Sequence, residues 1–225
     1  MTRTTAIVAG VAPGLGETLC ARLAARGHRV LALARSDRME GRLAEGVELR
    51  RCDLTDPAQV ARATQDAGEV AVCLHTAHRL LIAPFADTPP AEFEAVWRDT
   101  CLSAMVTARA VLPGMAARGR GTLVFTGATA AIRGGAKFAA FASAKFALRG
   151  LAQSLAREYQ PQGVHIAHAV IDGLVWEEQT RARFSPDEAA CIAPDAIADA
   201  YLALIDQPRS AWTQEMDLRP FSKSF

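Results

Sequence analysis

Short apolar, β-branched runs alternate along the chain with longer Ala/Leu-rich stretches whose apolar positions recur at helical spacing. Residues 4–9, 29–34, 47–51, 70–74, 121–126, 165–170 and 211–218 read as strands, and 15–26, 56–66, 90–118, 139–159 and 194–205 as helices. Strands that are apolar almost throughout must be covered on both faces, which argues for a parallel sheet sandwiched by helices and joined by right-handed crossovers. No repeat, linker or low-complexity tract interrupts the pattern. The expectation is one doubly wound α/β domain over residues 1–225, with a mostly parallel seven-stranded sheet. Pro57 suits the first turn of a helix capped by Thr55 or Asp56. Leu112-Pro113-Gly114 should kink or loosen the longest helix. Residues 174–191 are polar and weakly periodic, and read as a short lid or substrate loop.

Half of the 225 residues are hydrophobic and 22% are charged, the composition of an ordered globular chain. A formal net charge of +1 gives no reason to expect nucleic acid or an anionic membrane as partner. No apolar leader precedes the first strand, and no uninterrupted apolar run approaches a membrane span, so a cytoplasmic protein is expected. Cys20, Cys52, Cys73, Cys101 and Cys191 are widely spaced and odd in number, which fits free thiols. His75 and His78 lack neighbouring Cys or carboxylate ligands, so no metal site is expected.

Directly after the first strand comes Gly10-Val11-Ala12-Pro13-Gly14-Leu15-Gly16, then an amphipathic helix. Gly10 permits a tight turn, while Gly14 and Gly16 clear room for backbone to approach a pyrophosphate and for helix to approach strand. The helix N-terminus, from Leu15 onward, offers free N–H groups to phosphates. Together these features indicate a Rossmann-type dinucleotide site. Arg35 follows the second strand, where an acidic residue would hold a ribose 2′-hydroxyl; its planar fork suits a 2′-phosphate, which favours NADP(H) over NAD(H). A solvated strand-end charge is the simpler alternative.

The Gly-x-x-x-Gly-x-Gly turn, Asp53-Leu54-Thr55-Asp56 after the third strand, Val111-Leu112-Pro113, Gly121-Thr122-Leu123-Val124, Ile132-Arg133-Gly134 and Phe141-Ala142-Ser143-Ala144-Lys145 occur in the order of the short-chain dehydrogenase/reductase family, which the chain resembles from Ile7 to about Gly173. The resemblance implies that Asp53 and Leu54 meet the adenine. It places Ala77 and Gly173 along the cofactor and has Lys145 hold the nicotinamide ribose. It also implies a homodimer or homotetramer formed through helices 90–118 and 139–159, with Met105, Phe146 and Leu148 as candidate interface residues that core packing explains equally well.

The departures from the family pattern concentrate at its proton relay. Phe141 stands where the family has tyrosine, Ala128 where it has serine and Thr100 where it has asparagine; only Lys145 remains. Asn-Asn-Ala-Gly becomes His75-Thr76-Ala77-His78, Pro-Gly becomes Asp172-Gly173, and the threonine four positions beyond the glycine becomes Glu177. A phenyl ring cannot carry a proton. Tyr159 lies 18 residues further along its helix, roughly 27 Å away. His78 is the replacement acid best suited by intrinsic pKa, with Asp172 and Thr129 behind it. The expectation is an atypical NADP(H)-dependent oxidoreductase acting on a small organic substrate with an unusual proton donor. The alternatives are an NADP(H)-binding protein without redox catalysis, serving as sensor or partner subunit, and a non-redox enzyme on the same scaffold.

Overall fold

The computed structural model describes residues 3–223. In chain order the elements are β1 (Thr5–Ala9), α1 (Leu15–Ala25), β2 (Arg29–Ala34), β3 (Val47–Arg51), α2 (Pro57–Thr64), β4 (Val70–His75) and α3 (Pro90–Trp97). There follow α4 (Ser103–Arg118), β5 (Gly121–Thr126), α5 (Ala139–Tyr159), β6 (Val164–Ile171), β7 (Leu174–Val175), α6 (Glu178–Phe184), β8 (Cys191–Ile192), α7 (Pro194–Ile205) and β9 (Glu215–Leu218). Seven strands form one sheet in the order β3-β2-β1-β4-β5-β6-β9, and every pairing is parallel. The order reverses between β1 and β4, which opens a crevice at the carboxyl ends of those strands, where ligands bind in such sheets.

Alternate strand residues supply two cores. Ile7, Leu31, Cys73, Phe125 and Ile166 face α2, α4 and α5. Val8, Val30, Leu74, Val124 and Ala167 face α1 and α7, where Tyr201 is wholly buried. Each fully buried large side chain contributes about 1.5–3 kcal/mol relative to exposure. These strands tolerate no register slip, since both faces are dry.

Several expectations are corrected. Pro113 does not break its helix: α4 runs through it to Arg118. Pro113, Arg109 and Ala110 are all exposed, so the Arg109 carbonyl that loses its N–H partner meets water. The irregularity lies earlier, in a π-turn at Arg98–Leu102 between α3 and α4. The whole segment Pro90–Arg118 is long and apolar enough to cross a membrane by length and composition, but 56% of its most apolar stretch is buried within the fold. The last strand is only Glu215–Leu218, since residues 209–211 form a 3-10 turn. The presumed lid loop has structure of its own, with α6 held between the paired strands β7 and β8. Leu148 is fully buried in the core, so it cannot face a partner, whereas Phe146 is exposed on α5.

Candidate active site

The crevice is a cavity of about 890 Å³ that reaches from the glycine turn to Lys145 and on to α6. Its first wall is the turn. Gly10 has φ +95°, and a Cβ there would come within 2.5 Å of the Ala77 backbone. The Thr76 hydroxyl donates to the Gly10 carbonyl at 3.0 Å, which ties this turn to the end of β4. Gly14, at φ +99°, caps α1, and Leu15 opens the helix. A Cβ on Gly16 would stand 3.0 Å from Val11 Cα, so helix and turn meet there backbone to backbone.

At one end Arg35, Ser36, Arg38, Asp53 and Leu54 line the cleft. The Arg35 guanidinium is exposed and pairs with Asp99 Oδ2 at 3.0 Å. Asp53 folds back on its own loop: Oδ1 accepts from the Thr55 N–H at 2.9 Å and hydroxyl at 2.8 Å. Gly173 lies opposite, 2.9 Å (from an added Cβ) to Pro220 Cδ. Arg35, Asp53, Leu54, Ala77, Gly173, Gly10 and Gly16 thus line one cleft.

The other end is apolar where a proton relay would need polar groups. Phe141 is 7% exposed and packs with Val96, Ala130, Ala140 and Ala144, with Ala128 and Phe138 beside it. Lys145, 2% exposed, donates to the Thr126 carbonyl at 2.8 Å. Burial pushes its pKa down to about 7. Thr100 is fully buried, and its hydroxyl oxygen accepts from the Arg79 N–H at 3.4 Å, so it anchors the β4 loop instead of its own preceding turn.

His78, the candidate replacement acid, stands at the edge of this apolar end. Its ring opens onto the cleft 5.9 Å from the Phe141 ring, and its Nδ1–H donates to the Thr76 carbonyl at 3.2 Å. The surrounding protein and the Lys145 charge push its pKa down to about 4, a shift that water tempers because the ring is exposed on the cleft. His75 is fully buried with Nε2 3.0 Å from the Ser103 hydroxyl, and burial lowers it to about 3. The Thr129 hydroxyl donates to Asp172 Oδ1 at 2.5 Å. Asp172 is almost wholly buried; burial would raise its pKa, but Lys223, Thr129 and Arg219 bring it below the usual carboxylate value.

Two groups near the site escaped sequence reasoning, and a third, Glu177, stands out in the sequence without showing its contact. Lys223, near the C-terminus, reaches Asp172 and lines the cleft, and no motif signals it. Tyr201 donates to the Thr126 hydroxyl at 2.9 Å from the opposite face of the sheet, and its burial raises the phenol pKa, so it cannot replace the missing tyrosine. Glu177 presses on the glycine turn from the lid, a contact whose only signal was the unusual residue at that place. Among the described residues, no group of three or more His, Cys, Asp or Glu could hold a metal, and all five cysteines are free.

Known proteins agree with this architecture. The short chain dehydrogenase family model matches residues 4–184. An uncharacterized oxidoreductase of Staphylococcus aureus (strain USA300) is 23% identical over 229 residues, spanning 98% of both chains. The crystal structure of a short-chain dehydrogenase from Rhodopseudomonas palustris superimposes with a TM-score of 0.86 at 33% identity, covering 98% of this chain and 100% of that one. The closed form of a serine dehydrogenase complexed with NADP+ shares the fold, with a TM-score of 0.86 at 19% identity over 99% of this chain and 97% of that one. With its residues 4–184 matched and its fold superimposing on a solved short-chain dehydrogenase at 33% identity, the chain belongs to the short-chain dehydrogenase family, whose members are NAD(P)-dependent oxidoreductases.

Proposed function

We propose that the protein is an NADP(H)-dependent oxidoreductase that reduces or oxidises a small organic substrate without a tyrosine acid. The observation that carries this reading is the continuity of the cleft: one cavity joins the glycine turn, Arg35 and Lys145 to an apolar end closed by α6. When bound, the nicotinamide would supply or accept hydride. Gly10, Gly14 and Gly16 make room for its phosphates, Arg35 and Arg38 stand at the 2′-phosphate end, Asp53 and Leu54 border the adenine, and Lys145 meets the ribose. Known structures with NADP bound share this fold, which supports the same cofactor here.

Phe141, Ala128, Leu80, Ile82 and Phe138 present an apolar surface to the substrate. Hydride delivery then draws on proximity and orientation, and the Lys145 ammonium is the protic group one helical turn from Phe141. Substrates that need little from an acid fit best: an iminium, or a conjugated acceptor that takes its proton from water. The exposed Phe146 on α5 supports pairing of two copies through that helix.

Calorimetric titration with NADP+ and NAD+, followed by NADPH oxidation assays on imines, enones, quinones and ketones, tests the reading. Tight NADP+ binding with turnover of imines or enones is expected. The apolar packing of Phe141 favours a second reading, cofactor binding without redox catalysis, and tight binding with no turnover on any of these acceptors would select it.

A further inference from the structure

Glu177 is the residue immediately before α6, and its side chain reaches back across the cleft to α1. Oε2 accepts from the Leu15 N–H at 3.4 Å. A Cβ built on Gly14 would lie 2.5 Å from Oε2 and 2.6 Å from Glu177 Cβ, so the side chain lies flat against the bare backbone of the turn. That turn and that helix end are where a dinucleotide's phosphates must come. We propose that Glu177 is an internal anion that holds the pyrophosphate position in the free protein, so that cofactor enters only when this carboxylate is protonated or swings away with its lid. The proposal rests on the dinucleotide reading above and adds a residue that sets cofactor affinity.

The electrostatics follow from the surroundings. The end of a helix carries roughly half a positive charge, which one carboxylate already satisfies and which cannot neutralise a pyrophosphate as well. Among the described residues, no cation is paired with Glu177. On α1, Glu17 pairs with Arg42 at 3.3 Å; Arg42 also lies 4.0 Å from Glu178 on the lid. On the lid Arg181 packs over Trp176 and Arg183 over Phe184. Beyond β6, Asp172 is engaged by Lys223. Burial raises the Glu177 pKa and the Leu15 N–H offsets part of the rise, so the carboxyl takes up a proton more readily than a solvated glutamate. The backbone on either side is fixed to the paired lid strands, with Trp176 N–H on the Ile192 carbonyl and Glu177 N–H on the Val175 carbonyl, both at 2.9 Å. A large displacement of the carboxylate would therefore move α6.

The test is calorimetric titration of NADP+ into the full-length protein, Glu177→Gln and Glu177→Thr, at about pH 8 and about pH 5. The ratio of wild-type to variant Kd cancels the titration of the ligand's own phosphate. Glu178→Gln, an exposed charge change on the same lid, serves as control. The expected result is that both Glu177 variants bind roughly tenfold or more tighter than wild type at about pH 8, a like-charge penalty, with the advantage shrinking at about pH 5. Glu178→Gln should track wild type. Equal or weaker binding by both Glu177 variants at the higher pH overturns the proposal and leaves the dinucleotide reading standing. Absence of binding by wild type and variants alike at both pH values overturns both.

Discussion

The Lys145 ammonium nitrogen stands 5.7 Å from the centroid of the Phe141 ring, one helical turn away on α5. A ring face at that distance attracts a cation, so Phe141 lowers the cost of burying Lys145 without offering it a proton partner. The Thr126 carbonyl is the hydrogen-bond acceptor that the structure gives Nζ. An ammonium with one acceptor and one ring is under-solvated, and its pKa falls to about 7 accordingly.

This fixes the sign of a stability effect. The folded pKa lies below the value of about 10.4 in the unfolded chain, so the unfolded state binds more protons between those values. Folding is penalised in full below pH 7 and the penalty fades as pH rises toward 10. Lys145→Met should therefore be more stable than wild type near neutral pH, by an amount that shrinks as pH increases. Urea unfolding of both proteins between about pH 6.5 and about pH 9.5 measures it. A constant difference across that range would mean that Lys145 is not depressed.

Arg35 and Asp99 compete with cofactor for one another. The guanidinium that should meet a 2′-phosphate is paired with Asp99 across the cleft at 3.0 Å. Arg35→Ala should weaken NADP+ binding by about 1.5–3 kcal/mol, roughly 10–100-fold, and leave NAD+ nearly unchanged. Asp99→Asn should free the guanidinium and tighten NADP+ selectively. If Arg35→Ala weakens both nucleotides equally, Arg35 is a surface charge and the NADP(H) preference has no support from it.

Asp172, Thr129 and Lys223 join the end of β6, the β5–α5 connection and the C-terminal segment. Because the Asp172 carboxylate is almost wholly buried, removal of its charge strands Lys223. Asp172→Asn should cost roughly 1–3 kcal/mol, less than the 3–5 kcal/mol of a fully buried pair because Lys223 and Arg219 are partly solvated. Its pKa is lowered on folding, so its contribution is present above about pH 4 and lost as pH falls through the folded value. The wild-type advantage over Asp172→Asn in urea should shrink as pH falls below about 4; an advantage that does not change with pH would show that packing, not charge, is responsible.

The sheet was legible because its central strands, β1, β2, β4, β5 and β6, are apolar almost throughout, and the edge strands β3 and β9 lie beside them in parallel register. Helices 139–159 and 194–205 fall where periodicity puts them. The glycine turn was legible for the same reason that it is conformationally demanding: Gly10 and Gly14 both adopt positive φ, Gly10 against the Ala77 backbone and Gly14 against the Glu177 side chain. What periodicity could not give was contact across the cleft. Asp172 reads as a polar loop residue until Lys223, 51 residues later, is folded onto it. Glu177 stands 162 residues from Leu15. His78 looked like an acid because its intrinsic pKa is near neutral, and the surrounding protein and the Lys145 charge that push this pKa down are brought to it only by the fold. The π-turn at Arg98–Leu102 likewise leaves no mark in an otherwise helical stretch.

The last expectation concerns Phe141 and Ala128 together. Both belong to one apolar cluster on the cleft wall, next to the Lys145 that a family relay would use. Restoring one hydroxyl alone would bury it among apolar neighbours without a partner, at a cost of about 1–3 kcal/mol. Phe141→Tyr with Ala128→Ser supplies two hydroxyls on facing elements, and the Lys145 ammonium lies within one turn to lower the phenol pKa. General acid catalysis of this type contributes roughly 10²–10⁴-fold, so the double variant should gain NADPH-dependent reduction of a simple ketone by about that factor over wild type. Each single variant should gain less than its share, because the groups act as a unit. Steady-state NADPH oxidation, with nucleotide affinity measured in parallel, decides the matter. A double variant that binds NADPH as wild type does and still reduces no ketone would move the obstacle elsewhere, to Thr100 anchored on the Arg79 N–H and to the neutral His78 ring beside residue 141.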